Sequence, residues 1–462
     1  MPDYRIESDS LGNVNVPSDM LYGAQTQRAR DNFPVSSMRI PRRMIRALGL
    51  LKKAAAQVNL EKGNLTDSVA NAVIQAAGEV ADGDHDREFV VDIFQTGSGT
   101  SSNMNTNEVI ANRAIQILGG EVGSKKPVHP NDHVNRGQSS NDIIPTAIHI
   151  AVLDAIQKDL LPNLRVLADA LEAKAVEFDG IVKVGRTHLQ DAVPIRLGQE
   201  FSGFAAQARK AVGRIEATMP NLSELPLGGT AVGTGLNAPE GFAPSVIAVV
   251  AGETGLPLKQ NPNLFEGLAS RDALVEASGA LRTVAVSLMK IAEDIRWLGS
   301  GPRCGIAELI LPDLQPGSSI MPGKVNPVMS EMMLQVGAQV QGNDLTVSIG
   351  GQGGHFELNT MMPVMAYNIL QSIQILGNAA GVFADKCVKG LKANEARCKE
   401  LVEKSLALVT ALAPAIGYDQ AAAISKEAFK TGRTIRDLCL EKNILAEAEL
   451  DKLLDAKKMT GK

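Results

Sequence analysis

The stretch GSSIMPGKVNP, Gly317 to Pro327, is the one on which the reading of the chain turns. Glycine and proline at this density cannot continue a helix and favour turns. Val328 to Gln341 (VMSEMMLQVGAQVQ) follows as an apolar-rich helical run, which puts Asn326 at the N-cap and Pro327 at the first helical position. The stretch is therefore a loop feeding a helix N-terminus, where free backbone N–H groups and a partial positive charge gather. Lys324 adds a full charge. It reads as a site for a carboxylate-like anion; taken alone, it reads equally well as a surface turn with a stray lysine.

The same arrangement recurs upstream. Asp82 to Thr106 (DGDHDREFVVDIFQTGSGTSSNMNT) is a polar loop before a helix expected over Glu108 to Leu118, ended by Gly119 and Gly120. Val128 to Asp142 (VHPNDHVNRGQSSND) opens into a helical pattern running from Ile143 to Phe178, with a joint or kink expected at Pro162. Gly185 to Pro194 (GRTHLQDAVP) leads into Ile195 to Met219, and the glycine-rich run Leu225 to Asn237 is a fourth loop. Three of these loops place hydroxyls, amides and glycines just before a helix start, which is a way to build a multi-donor pocket for carboxylates.

Around these loops the pattern is helical. Pro41 to Glu61 and Thr66 to Val80 read as helices, the second with Thr66 as N-cap, and Pro363 to Cys387 as another. Glu266 to Leu298 is the longest, roughly 50 Å at about 1.5 Å per residue. Its apolar residues cover more than one stripe, so a bundle shared between copies, or a large monomeric core, must cover them. Residues 1 to 38 read as an irregular, partly extended arm, and the chain from about Asn394 as a small helical domain broken at Pro414, Gly417 and Gly432. With no run of alternating β-branched residues of strand length, the expected class is all-α. The expected domains are 1–138, 139–393 and 394–462.

The 462 residues exceed what one core usually organises. A net charge of -5 lacks the basic excess needed to neutralise phosphates, so nucleic acid is an unsuitable partner. The N-terminus has no apolar segment and no run is long enough to span a bilayer. This predicts a cytoplasmic protein, or a matrix protein after loss of a transit segment, with no membrane partner. Cys304, Cys387, Cys398 and Cys439 lie far apart with no C-x-x-C pair and read as reduced thiols. His129 and His133 have metal-pair spacing, but Pro130 lies between them and no third ligand is evident, so no metal and no cofactor is expected.

In combination, QTGSGTSSNMNTNEVIANRA, HPNDHVN with QSSND, GRTHLQDAVP, LGGTAVGTGLN and GSSIMPGKVNP resemble the fumarase/aspartase superfamily, with GSSIMPGKVNP its signature. The likeness runs through essentially the whole chain and is nearest to the class II, iron-independent fumarases. It implies reversible hydration of fumarate to L-malate in a homotetramer whose central domains pool long helices into one bundle, with each site assembled from different subunits.

The likeness also implies residue roles. Removing a C3 proton from malate places a second charge on the neighbouring carboxylate, so the reaction needs a base and fixed donors where that charge develops. By resemblance Ser318 is the base, acting as an alkoxide, with Lys324, Asn326 and Ser319 on a substrate carboxylate. His188 is the acid that lets hydroxide leave as water, and Glu331 is its carboxylate partner. Ser98, Thr100, Ser139, Ser140, Asn141 and Thr187 match positions that hydrogen-bond the substrate, and they can serve as caps and turn formers at the same time. His129, Asn131 and Asp132 match a second anion site.

The nearest rival is aspartate ammonia-lyase, whose members carry glutamine where this chain has His188. Val328 to Ser330 leans slightly towards that rival. A non-catalytic helical protein of lyase descent is the other alternative, although Ser318, His188, Glu331 and Lys324 are all present.

Overall fold

A computed structural model describes residues 3–461. It is mostly helical, as expected, and divides into two compact units: Met1–Pro162 with Gly213–Ala285 and Ala338–Gly377, and Asn163–Val212 with Val286–Gly337 and Asn378–Lys462.

The first unit opens with an antiparallel hairpin, β1 (Tyr4–Asp9) and β2 (Gly12–Pro17), followed by α1 (Ala24–Asn32). The arm expected to be irregular and partly extended is extended in a regular hairpin and then helical, and buried carboxylates fasten its backbone. Glu88 accepts the N–H of Leu21 at 2.7 Å, and Glu108 accepts those of Gly23, Gln25 and Thr26 at 2.9 to 3.0 Å. These anions sit at the N-terminus of α1, where free N–H groups favour negative charge. Next come α2 (Arg42–Glu61) and α3 (Asp67–Asp82), both close to the expected bounds. Gly49 lets them meet: a Cβ there would lie 2.7 Å from Ala81 N and 2.9 Å from Ala77 O.

α4 runs from Thr100 to Ile117, eight residues earlier than the expected start at Glu108. Ser, Thr and Asn have poor helix propensity, but here their side chains are buried and bonded. Asn105 donates to Glu88 O at 2.9 Å and Thr106 to Ser102 O at 2.9 Å. α5 (Ser140–Ala155) begins directly at the predicted polar segment and is followed by a π-helical turn, Ile156–Leu160, and α6 (Leu161–Glu177). The wide turn lies just before Pro162, whose nitrogen has no hydrogen to give the preceding turn.

Most of GRTHLQDAVP, whose composition predicts a loop, is instead a hairpin: β3 (Val182–Thr187) pairs antiparallel with β4 (Gln190–Arg196). The ladder shifts register between Val184 and Arg186 around buried Gly185, a β-bulge. In the second unit Val184 packs in one apolar cluster with Val402, Leu408, Leu412, Ile424, Leu438 and Leu450 from the C-terminal helices. Arg196 donates to Thr460 Oγ1 at 3.0 Å, closing that contact.

The helices that follow are α7 (Leu197–Leu222), α8 (Phe242–Thr254), the short α9 (Leu264–Ala269), α10 (Asp272–Leu298), α11 (Val328–Gly351) and α12 (Met362–Lys386). The helix expected from Glu266 is split. Asn263 accepts the N–H groups of Phe265 and Glu266 to cap α9, and Ser270 Oγ accepts that of Asp272 to start α10 afresh. α10 therefore reaches only roughly 40 Å. All four cysteines are free, and no helix among the described residues is long and apolar enough to cross a membrane.

Candidate active site

In the first unit the predicted hydroxyls form one chain. Ser98 Oγ and Thr100 Oγ1 share a hydrogen bond of 2.7 Å, and Thr100 Oγ1 and Ser140 Oγ another of 2.7 Å. This joins the start of α4 to the start of α5. Ser139 caps α5 in a reciprocal box: its Oγ accepts the Asn141 N–H at 3.2 Å, and Asp142 accepts the Ser139 N–H at 3.0 Å. Asn141 Nδ2 donates to Ala231 O at 2.8 Å, bringing in the glycine-rich loop. The wall is thus a row of hydroxyls and amides beside two helix N-termini, a donor set suited to carboxylates.

Loop Gly317–Pro327 lies in the second unit and closes on itself. Gly317 N donates to Lys324 O at 2.7 Å, and Asn326 Nδ2 donates to Gly317 O at 2.8 Å. Lys324 Nζ donates to Asn326 Oδ1 at 2.7 Å. Asn326 is therefore not the helix cap that the pattern predicts. α11 starts at Val328, Pro327 O receives the first helical bond from Glu331 N at 3.1 Å, and the amide side chain is spent on closing the loop. Within the loop, Ser318 Oγ accepts two backbone N–H groups, from Ile320 at 3.2 Å and Met321 at 3.0 Å. Donors aimed at an oxygen favour its anionic form. Ser319 is exposed beside it, and Glu331 is half-buried in the first turn of α11.

His188 occupies the tip of the β3–β4 hairpin. It and Leu189 are the two turn residues between the paired Thr187 and Gln190, with φ of 57° and 59°. Two positive φ values match the twist of a tight hairpin, but the usual occupants are Asn and Gly; side chains there are strained. Thr187 and His188 are exposed. Below the tip, fully buried Glu308 takes Arg186 in a bidentate pair at 2.8 and 3.1 Å and Lys183 at 3.2 Å, and Lys183 also meets Glu200 at 3.0 Å. Burial works against the Arg186 charge, but the Glu308 pair more than offsets it and raises its pKa. This ionic root fixes the base of the hairpin that carries His188, and the sequence contains no local sign of it.

Within the described residues no hydrogen bond or ion pair joins His188 to Glu331 or Ser318. His129 Nδ1 accepts the N–H groups of Asn131 and Asp132, each at 3.2 Å, and lies 3.4 Å from Asp132 Oδ2. His133 Nδ1 accepts the His129 N–H at 2.8 Å. The δ nitrogens of His129 and His133 are therefore both committed to backbone N–H groups.

Comparison with known proteins bears on these features. The family described as Lyase matches residues 12–342, and the one described as Fumarase C C-terminus matches 408–461. The mitochondrial fumarate hydratase of Mus musculus is 55% identical over 460 residues, covering 99% of this chain and 90% of that protein. The class II fumarate hydratase of Mycobacterium tuberculosis is 55% identical over 458 residues, covering 98% and 95%. The crystal structure of recombinant class II fumarase from Schistosoma mansoni superposes with a TM-score of 0.95 at 41% identity, covering 99% of each chain.

Proposed function

The chain belongs to the lyase family, in its class II fumarate hydratase branch, and from that premise we propose that it interconverts fumarate and L-malate by acid–base catalysis. In the malate direction Ser318 alkoxide takes the C3 proton, and the electron pair left on C3 moves into the adjacent carboxylate as an aci-carboxylate. That pair then returns to form the C2–C3 double bond as the C2 hydroxyl, protonated by His188, leaves as water. Ser318 then returns its proton to solvent and His188 regains one from it, so malate becomes fumarate plus water.

The observation that best supports this reading is the pair of backbone N–H groups on Ser318 Oγ. Hydrogen bonds to a charged oxygen are worth about 1.5–3 kcal/mol each. Lys324 and Asn326 are assigned to one substrate carboxylate with Ser319 nearby, and Ser98, Thr100, Ser139, Ser140, Asn141 and Thr187 to the rest of the dianion. Glu331 is assigned as the partner of His188, and His129, Asn131 and Asp132 to a second anion site.

We propose a homotetramer of three-domain subunits. Leu189 on the hairpin tip and Ile320 on the 317–327 loop are 66% and 84% exposed, and Leu345 and Ile349 on α11 are 63% and 52% exposed, apolar area that a lone chain leaves in water. A cytoplasmic or matrix location fits the charge and hydropathy. Nothing in the relatives described favours the ammonia-lyase reading. The test is ultraviolet absorbance with L-malate and then L-aspartate: unsaturation from malate alone is expected, and unsaturation from aspartate alone would overturn the assignment.

A further inference from the structure

Two opposite charges lie wholly inside the first unit, and no step of the reaction uses them. Lys52 on α2 and Asp142 on α5 are both 0% exposed. Lys52 Nζ donates to Asn135 Oδ1 and to Gln138 Oε1, both at 2.9 Å. Asn135 Oδ1 also accepts from Asn103 and Asn107 of α4 at 3.2 Å each. Asp142 accepts the N–H groups of Ser139, Gly228 and Thr230 at 3.0, 3.1 and 3.0 Å.

Each segment of the donor wall therefore hangs from one or both charges. The helix that begins with Thr100 is tied to Lys52 through Asn103, Asn107 and Asn135. Gln138 and Ser139, just before Ser140 and Asn141, are tied to Lys52 and Asp142 respectively. The glycine-rich loop is tied to Asp142 and, through Ala231, to Asn141. The loop carries Thr230 at φ 50°, a conformation a β-branched residue adopts only when its surroundings enforce it.

Burial opposes both charges, pulling Lys52 down to about 7 and pushing Asp142 up to about 6, while each charge favours the other. Apolar residues of similar volume often replace a buried ion pair with no loss of stability. What such a replacement cannot supply is a fixed set of hydrogen bonds radiating from two points.

We propose that Lys52 and Asp142 are positioning residues for the reaction, holding the hydroxyl and amide wall from Ser98 to Asn141 and the loop at 228–231 at the spacing a dicarboxylate requires. This rests on the reading of that wall as the carboxylate site.

The test is steady-state kinetics of the full-length protein with L-malate for Lys52→Met, Asp142→Asn and the double variant, each checked for folding by circular dichroism. A positioning role raises KM by about tenfold or more while kcat falls less, because binding common to ground and transition states is what is lost. The double variant is expected to lose less than the product of the two single losses, since it leaves no lone buried charge. Gln138→Leu, which cuts one of the wall's two ties to Lys52 but keeps both charges, is expected to raise KM in the same direction and serves where a charge variant fails to fold. KM within about twofold of the parent in all folded variants, with losses confined to kcat or to the active fraction, would overturn the proposal. A parent protein that does not turn over malate would instead overturn the reading of the wall, and this inference with it.

Discussion

Asn326 reaches back nine residues to donate its side-chain amide to the Gly317 carbonyl at 2.8 Å, and so closes the loop on which Ser318 is displayed. The same carboxamide receives Lys324 Nζ through its oxygen. One side chain thus sets both the shape of the loop and the place of its positive charge.

Gly317 is required at the mouth of that closure, because a Cβ there would lie 2.6 Å from Lys324 O and 2.9 Å from Asn326 N. Gly317→Ala is expected to spread the loop, lowering kcat/KM by at least about tenfold with little change in thermal midpoint. Gly323→Ala is the control. It has open space around its Cβ and only a φ of +79° to resist it, so the expected cost is about 1 kcal/mol of local strain. Equal activity losses in the two variants would count against the closure argument.

The hairpin tip carries strain that can be measured. Leu189 has φ 59° and is 66% exposed, so Leu189→Gly removes a conformational penalty while giving up little packing within the chain. The expected gain is about 1 kcal/mol, read as a rise in the urea midpoint with an unchanged slope. A fall in the midpoint would show that the turn is not strained, or that the assembled protein buries Leu189.

His149 makes the fold sensitive to acid. It is buried, its Nδ1 lies 3.1 Å from Leu222 O, and burial, with the nearby Arg271 charge, pulls its pKa down to about 3. An unfolded histidine binds its proton near pH 6.5, so between about 6.5 and 3 the unfolded state holds more protons than the folded one. Stability is therefore full above about pH 6.5 and declines as pH falls towards 3, by up to about 1.4 kcal/mol per pH unit from this residue. His149→Gln should flatten that part of the profile in urea titrations at pH 7, 6 and 5. An unchanged slope would remove His149 as its source.

Much of the fold was legible in residue patterns, and the exceptions have identifiable causes. α2, α3 and α12 follow apolar periodicity, which predicts their ends to within two residues. α4 is longer than its pattern predicts because its first turns are Ser, Thr and Asn, which are buried and bonded here rather than solvated. The β3–β4 hairpin leaves no strand pattern in the sequence because Lys183 and Arg186 are charged and gain burial only through Glu308, more than a hundred residues away. Gly185 inside an otherwise β-prone run was the available sign of a bulge.

The site shows the same division. Ser139 and Asp142 spell a capping pattern in the sequence, and Ser98, Thr100 and Ser140 do join in one hydrogen-bonded chain. Spacing alone predicts a helix cap at Asn326, whereas its amide serves the loop. Lys52 gave no signal at all, since an isolated lysine in an amphipathic helix reads as a solvated residue until the helices pack around it.

The central claim is that Ser318 removes the C3 proton, and turnover of L-malate by Ser318→Ala tests it most directly. With circular dichroism and gel-filtration elution unchanged, kcat is expected to fall by at least about a hundredfold, the smallest contribution usual for a base in proton transfer. A Ser318→Ala protein that still converts malate at close to the parent rate would contradict the account.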